Sequence, residues 1–147
     1  MMVPLARALV AAELPVLRAH QVSMLGYVVL LGLGEQPARS QAALAQAIGA
    51  DKTRIIGVLD DLQQRGLIER RPDPADRRAH LLSITPAGQR VRDAVQAGIQ
   101  RGEERLLARL PAADRAAFLR VLQALSALPP EQVSGGPDGS GAGPGSA

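Results

Sequence analysis

The chain has 147 residues, of which 46% are hydrophobic and only 1% aromatic, so a modest single core must be built from aliphatic and alanine side chains. The formal net charge is +3, and Lys52 is the only lysine, so arginine supplies almost all of the positive charge. The planar guanidinium of arginine suits binding to nucleic acid, although a GC-rich genome also enriches arginine without any functional cause. Cysteine is absent, which excludes disulfides, thiolate metal sites, thiol nucleophiles and thiol-based redox sensing.

Two helices are predicted at the N-terminal end. Residues 4–19 carry apolar side chains three or four residues apart, which is typical of an amphipathic helix, and an interruption is expected near Pro15. Residues 21–33 are apolar on nearly all sides, which predicts a buried helix. Gly34 and Pro37 then break the pattern.

Two short helices separated by a glycine follow. Ser40 is a suitable N-cap for a helix over residues 41–48, which Gly49 terminates. Asp51 is the next N-cap and opens a helix to about Arg65. One face of this second helix is expected to be buried and carries Ile55, Val58, Leu59 and Leu62. A short link between two helices, the second with a polar leading edge, predicts a helix-turn-helix.

A basic hairpin comes next. Leu67–Pro72 and His80–Ile84 are strand-like, and Asp73–Asp76 between them has the composition of a turn. Arg77 and Arg78 lie at the tip. Two strands cannot form a core alone, but an arginine-tipped hairpin can reach into a groove of DNA. Helix-turn-helix followed by a basic hairpin is the layout of a winged-helix DNA-binding domain.

Helices are expected to complete the fold. Thr85-Pro86 places a capping hydroxyl before a proline at the first helical position, which opens a long helix to about Leu110. Gly98 and Gly102 lie on or beside its apolar stripe, where they would either admit a close helix approach or allow a bend. Pro111 starts a final helix, and the Gly/Pro/Ser-rich tail from Pro129 is expected to be disordered. The fold class is therefore mainly α with a small β-hairpin.

Ordered motifs between Gln21 and Gly88 resemble the MarR (multiple antibiotic resistance regulator) family. They are Leu44-Ala-Gln-Ala-Ile-Gly49, Asp51-Lys-Thr-Arg54, Leu59-Asp-Asp-Leu62, Arg65-Gly-Leu-Ile-Glu-Arg70 and Asp76-Arg-Arg78 to Thr85-Pro-Ala-Gly88. Each fragment is weak alone, but the combination is specific. The resemblance implies a homodimeric winged-helix transcription factor whose terminal helices make the dimer interface, including the apolar stripe from Val91 to Leu110.

Domain boundaries follow from the resemblance and the predicted elements. Residues 1–33 are assigned to N-terminal helices for dimerisation and scaffolding, 34–88 to a winged helix-turn-helix DNA-binding lobe, 89–128 to C-terminal dimerisation helices, and 129–147 to the tail. We see no internal repeat.

The helix after Asp51 carries the candidate major-groove residues. With its aliphatic face buried, helical geometry points Thr53, Arg54, Ile56 and Gly57 outward, with Lys52 at the entry. Arg54 is suited to guanine and Ile56 to a thymine methyl, while Gly57 removes a side chain where DNA would approach. The alternative is a solvated helix face without function.

The resemblance also implies a role for the hairpin tip, in which the Asp76 carboxylate braces Arg78 for entry into the minor groove beside Arg77. The alternative is a silent surface salt bridge worth at most about 1 kcal/mol. Further side chains are candidates for contacts to DNA phosphates, and for each of them a solvated position without a DNA contact is an equal alternative: Arg39, Arg70, Arg71 and His80. The backbone amides after Ser40 and Asp51 are also candidates for phosphate contacts.

Many members of the family bind a small aromatic or amphipathic effector. His20, Met24 and Tyr27 lie around the start of the second helix and are the candidates for lining such a site. The alternatives are a solvent-exposed junction residue for His20 and core positions for Met24 and Tyr27. No metal site or cofactor is expected.

The leading hypothesis is therefore a cytoplasmic, homodimeric DNA-binding regulator, a repressor of pseudo-palindromic operators that a small-molecule effector relieves. The alternative is a winged-helix protein-interaction module without DNA binding. An enzyme is not expected, because no nucleophile lies in an elbow motif and no glycine-rich phosphate loop follows a strand. No apolar run approaches the ~20 residues that a membrane span requires.

Overall fold

A computed structural model describes residues 2–34, 39–129 and 132. The helices are α1 (Met2–Ala19), α2 (Met24–Gly34), α3 (Gln41–Ala47), α4 (Lys52–Gln64), α5 (Pro86–Leu107) and α6 (Ala112–Ser126). The strands are β1 (Arg39–Ser40), β2 (Ile68–Pro72) and β3 (His80–Ile84). The predicted fold class, mainly helical with a small hairpin, is confirmed. The predicted disorder of the tail concerns residues that, apart from 129 and 132, lie outside the described part of the chain.

The first helix runs through the proline that the sequence predicted would interrupt it. α1 is continuous from Met2 to Ala19 with Pro15 inside it. A proline removes only one backbone donor, and Leu17, two residues further on, is buried with 2% of its surface exposed. Packing of that residue outweighs the missing hydrogen bond.

The turn between α1 and α2 closes the end of α1 with a left-handed residue. Gln21 has a φ of 55°. Its N–H donates to the carbonyl of Arg18 at 3.0 Å, and the N–H of Val22 donates to the carbonyl of Leu17 at 3.0 Å. This pair of bonds is the Schellman arrangement that ends many helices, here with glutamine where glycine is usual.

Residues 1–104 form one compact unit with two apolar clusters. The first cluster lies between α2, α3, α4 and the sheet and consists of Val29, Leu30, Leu33, Leu44, Ala45, Ile55, Leu59, Leu62, Leu67, Ile68 and Leu82. Burying each leucine or isoleucine fully stabilises the fold by about 1.5–3 kcal/mol. The face of α4 that carries Ile55, Leu59 and Leu62 is thereby fixed inward, as predicted, with Val58 only partly buried.

The second cluster corrects the assignment of the α5 stripe to the dimer interface. Val95 is fully buried, and Val91 and Ile99 pack against the same cluster as Leu17 and Tyr27 within one chain. This half of the predicted interface is therefore internal core, because α5 needs its first three turns to cover α1 and α2. A polar residue at Val95 would disrupt the folded chain instead of separating two copies.

Of the two alternatives for the glycines of α5, the structure has a close helix approach at Gly98, where α1 packs on α5. A β-carbon built at Gly98 would lie 2.5 Å from Cγ1 of Val16, well inside van der Waals contact. Glycine at this position is what allows the two helices to approach.

The sheet has three strands in the order β1-β3-β2, all antiparallel. The hairpin of β2 and β3 matches the prediction to within one residue. The sequence pattern missed β1, which consists of Arg39 and Ser40 paired with Leu82 and Leu81. A strand of two residues is too short for any alternation to reveal it.

Residues 105–147 form the second unit. The long helix ends at Leu107, three residues before the predicted end, and Pro111 precedes α6 as expected. α6 contains no buried residue within this unit. Its exposed large apolar side chains are Phe118, Leu119, Val121, Leu122 and Leu125.

Within the described residues, no single helix has the length and hydropathy of a membrane-spanning segment; α1 and α2 meet those criteria only when counted together across an 83° bend.

Candidate nucleic-acid interface

Both predicted N-caps of the helix-turn-helix are formed. The Ser40 hydroxyl accepts a hydrogen bond from the Ala43 N–H at 3.2 Å. The Asp51 carboxylate accepts bonds from the N–H groups of Thr53 at 2.7 Å and Arg54 at 3.3 Å. These backbone hydrogen bonds, with that from Thr53 the largest, hold the pKa of Asp51 below its usual range. The start of α4 is therefore fixed by a charged cap.

The lowered pKa of Asp51 predicts a pH-dependent contribution to stability. The contribution is complete above the pKa of an unfolded aspartate and is lost as the pH falls through the lower folded-state value. An Asp51→Asn variant should therefore melt below the wild type at neutral pH, and the difference should shrink below about pH 4. Ser40→Ala is the matched control, because it removes an uncharged cap and should cost about 1 kcal/mol at every pH. A pH-independent difference for Asp51→Asn in thermal melts would contradict this account.

The outer face of α4 carries the predicted recognition residues in the predicted orientation. Thr53, Arg54, Ile56 and Gly57 are all exposed, and Ile56 exposes 46% of its surface although it is a large aliphatic residue. In the part of the chain that the structure describes, no atom would lie within 4 Å of a β-carbon at Gly57. None of these four residues belongs to either apolar cluster of the described residues, so packing does not account for the residue types on this face. The side chain of Lys52, like that of Arg39, lies outside the described part of the structure.

The hairpin turn is ordered by two aspartates. The Asp73 carboxylate accepts a bond from the Ala75 N–H at 2.8 Å, and the Asp76 carboxylate accepts one from the Arg78 N–H at 2.9 Å. The Asp76 brace on Arg78 therefore acts on its backbone, and the alternative of a silent Asp76–Arg78 salt bridge is not present among the described residues. Arg77 and Arg78 are exposed and make no ion pair within the same part of the chain.

The arginines at the base of the hairpin differ from those at its tip. Arg70 donates to the Asp60 carboxylate on α4 at 2.7 Å, and Arg71 pairs with Glu69 at 2.8 Å. The Arg70–Asp60 pair joins the hairpin to α4, so Arg70 has a structural partner in addition to the predicted phosphate contact. Sequence reasoning missed this pair because helix and strand must both be placed before residues ten apart can be seen to meet.

The hairpin and the start of α3 enclose a cleft of about 390 Å³. Its lining includes Ser40, Arg70, Arg78 and His80, four residues assigned separately to DNA contacts from the sequence. The side chains of two arginines and the cap of α3 therefore face one concave surface, which favours an anionic partner.

The effector candidates are divided between core and turn. Tyr27 exposes only 8% of its surface and belongs to the second cluster, against which Met24 packs. Burial, followed by the nearby Glu13 carboxylate, raises the pKa of Tyr27. His20 is partly buried on the α1–α2 turn, where its carbonyl accepts a bond from Arg65.

Comparison with known proteins places this arrangement in a family. A sequence model of the MarR family matches residues 22–80. A putative transcriptional regulatory protein for the hcr operon of Thauera aromatica is 33% identical over 99 residues, which cover 67% of this chain and 60% of the relative. The chain thus spans less than two thirds of that relative's length.

Two solved structures are similar along most of their length. The transcriptional repressor CouR bound to a 23-mer DNA duplex is 30% identical with a TM-score of 0.68, covering 84% of this chain and 89% of CouR. The PcaV transcriptional regulator from Streptomyces coelicolor in complex with its natural ligand is 30% identical with a TM-score of 0.62, covering 83% and 89%. With its helix-turn-helix, arginine-tipped hairpin and these relatives, the chain belongs to the MarR family of transcriptional regulators, not to a class of enzymes.

Proposed function

We propose that the chain is a homodimeric, cytoplasmic repressor that binds pseudo-palindromic operator DNA and releases it when a small molecule binds. The observation that carries the proposal is the combination of an exposed outer face on α4 with two exposed arginines at the tip of an ordered hairpin, neither of which makes an ion pair to a described residue. A protein-interaction module would have no need of this pairing of a polar helix edge with basic residues. The CouR complex with DNA supports the proposal by similarity.

In this proposal α4 enters the major groove. Arg54 reads guanine, Ile56 contacts a thymine methyl, and Thr53 and Lys52 contact bases or phosphates at the helix entry. Gly57 leaves room for the DNA backbone, because no atom of the described residues lies within 4 Å of a β-carbon built there. Residues 34–88 are accordingly the DNA-binding lobe.

The hairpin enters the adjacent minor groove through Arg78, with Arg77 beside it. The Asp76 carboxylate reduces the backbone freedom of Arg78, so less entropy is lost when its guanidinium binds. Arg70 and the amides after Ser40 supply phosphate contacts at the cleft, and Arg39 is proposed as a further phosphate contact.

The dimer is proposed to form through exposed apolar faces at both ends of the chain. α1 exposes Leu5, Val10 and Leu14, and α6 exposes Phe118, Leu122 and Leu125. Exposed aliphatic faces of this kind on helices mark association surfaces, and here the partner is a second copy. A two-fold dimer with two recognition helices requires half-sites ~10 bp apart.

Effector binding is proposed at the α1–α2 turn and the second cluster, at His20, Met24 and Tyr27. The PcaV structure with its natural ligand supports a ligand site by similarity. Because Tyr27 is buried, a ligand that reached it would have to displace packed side chains. Binding would then be coupled to the arrangement of α1, α2 and α5.

The proposal is tested by measuring binding to a DNA duplex recovered from a random library with the wild-type chain, over a range of salt concentrations. Arg78→Ala should weaken binding by about 10- to 100-fold and reduce the slope of log K against log salt by about 1, because one arginine contact is lost. Arg90→Ala, an exposed charge on α5, is the matched control and should change neither quantity. Equal binding by Arg78→Ala would exclude the wing role, and a wild type that enriches no duplex would exclude DNA binding.

A further inference from the structure

The C-terminal end of α4 is tied to the turn between α1 and α2 by one side chain. Arg65, the C-cap of α4, donates through Nη1 to the carbonyl of Gln21 at 2.6 Å and through Nη2 to the carbonyl of His20 at 3.4 Å. Its Nη1 also lies 3.4 Å from the Asp61 carboxylate one turn earlier on α4. The contact joins residues 44 positions apart in sequence.

The two carbonyls are acceptors for which a cation is the natural partner. His20 and Gln21 close the end of α1, where the last carbonyls have no intrahelical donor and carry the negative end of the helix dipole. Gln21 is also in the left-handed region at φ 55°, which is unfavourable for a residue other than glycine. The Arg65 guanidinium therefore stabilises the α1–α2 turn, because it donates hydrogen bonds to two carbonyls at the end of α1, beside the unfavourable backbone conformation of Gln21.

The surroundings make this contact a fixed point for α4. Leu62, one turn before Arg65, is buried and approaches Gly26 near the start of α2, so that packing and hydrogen bonds converge at this end. The opposite end of α4 carries the recognition residues. α4 has 13 residues and is about 20 Å long, so a 10° tilt about Arg65 would move Thr53 or Arg54 by about 2–3 Å.

We propose that Arg65 is a positioning residue for DNA recognition, which sets the angle of α4 by anchoring its far end to the α1–α2 turn. The inference rests on the proposed DNA-binding function and adds a residue that contacts no DNA. A displacement of 2–3 Å exceeds the tolerance of a base-edge hydrogen bond, so an unanchored α4 loses sequence discrimination first. Phosphate contacts, which tolerate small shifts, persist.

The test compares the library-selected duplex with a scrambled duplex of the same composition, using full-length Arg65→Gln, Arg65→Lys and Arg90→Gln. We expect Arg65→Gln to bind the selected duplex about tenfold more weakly and the scrambled duplex as the wild type does, with an unchanged salt slope. Arg65→Lys keeps the charge at the end of α1 and should restore part of the ratio. Arg90→Gln matches the lost charge and should bind as the wild type.

Thermal melts accompany the titrations, so that binding is compared well below each melting temperature. If Arg65→Gln does not fold, Arg65→Lys carries the comparison, because it retains a donor. An unchanged ratio between the two duplexes would overturn the positioning role. Equal weakening on both duplexes with a smaller salt slope would also overturn it, since that result assigns Arg65 a phosphate contact. A wild type without any selected duplex would instead contradict the proposed function.

Discussion

Gly88→Ala is expected to lower the melting temperature by about 10 °C or more. A β-carbon at this position would overlap the carbonyl oxygen of Leu67 and lie 2.8 Å from Cγ1 of Ile84. The Leu67 oxygen cannot move away freely, because it accepts a hydrogen bond from the Thr85 N–H at 3.1 Å. Relief of the clash therefore requires the hairpin to separate from the start of α5.

The hydroxyl of Thr85 makes the same junction more rigid. It donates to the Gly66 carbonyl at 2.6 Å and accepts from the Gly88 N–H at 3.1 Å. The Thr85-x-x-Gly88 motif thus caps α5 through Thr85 and lets the backbone of α5 approach the Leu67 carbonyl closely at Gly88. Loss of that approach affects both the hairpin and α5, which explains the size of the expected effect.

Gly57→Ala is the matched control for the glycine substitution. Gly57 lies inside α4 with open space around it, so alanine should raise the free energy of unfolding by about 0.5–1 kcal/mol through helix propensity. Differential scanning calorimetry on both variants measures the contrast. A melting temperature for Gly88→Ala within about 2 °C of the wild type would show that the junction relaxes at little cost.

Under the proposed function, the double substitution Leu122→Glu, Leu125→Glu is expected to convert the dimer into monomers. Affinity for the selected duplex should fall by at least ~100-fold, because two linked half-site contacts become independent. Both leucines lie at the centre of the exposed apolar face of α6, 45% and 47% exposed. Charged residues on this face cost little in a single chain. They are strongly unfavourable only when a second copy covers them.

Arg120→Glu is the matched control, because it makes the same change of two charges and helical geometry places Arg120 on the side of α6 opposite Leu122 and Leu125. It should leave both the oligomeric state and DNA affinity unchanged. Sedimentation equilibrium gives the oligomeric state, and thermal melts show that each variant is folded. A double variant that remains dimeric would assign the interface elsewhere, and a monomeric variant with full affinity would contradict the need for two half-sites.

Features encoded locally could be predicted from the sequence. The caps at Ser40 and Asp51, the glycine ends at Gly49 and Gly66, and the outward face of α4 follow from a few neighbouring residues, and the structure has them in place. The hairpin was predicted for the same reason, since alternation and turn residues lie within one short stretch.

Features that depend on distant residues were missed or misassigned. Val95 reads as part of one continuous stripe, and only the positions of α1 and α2 reveal that it is core. The Arg70–Asp60 and Arg65–Gln21 contacts join different elements and leave no periodic signal. Pro15 was overestimated as a helix breaker because its local penalty is visible in sequence while the compensating burial of Leu17 is not.

The open outer face of α4 has a consequence for how this regulator can diverge. Because Arg54, Ile56 and Gly57 support neither apolar cluster, exchanging them leaves the folded chain intact. Under the proposed function, duplicated copies of the gene could acquire new operators by changing these positions alone. Leu59 and Leu62 on the buried face have no such freedom, because they belong to the first cluster. The residues that select the operator and the residues that stabilise the fold therefore lie on two different sides of one helix.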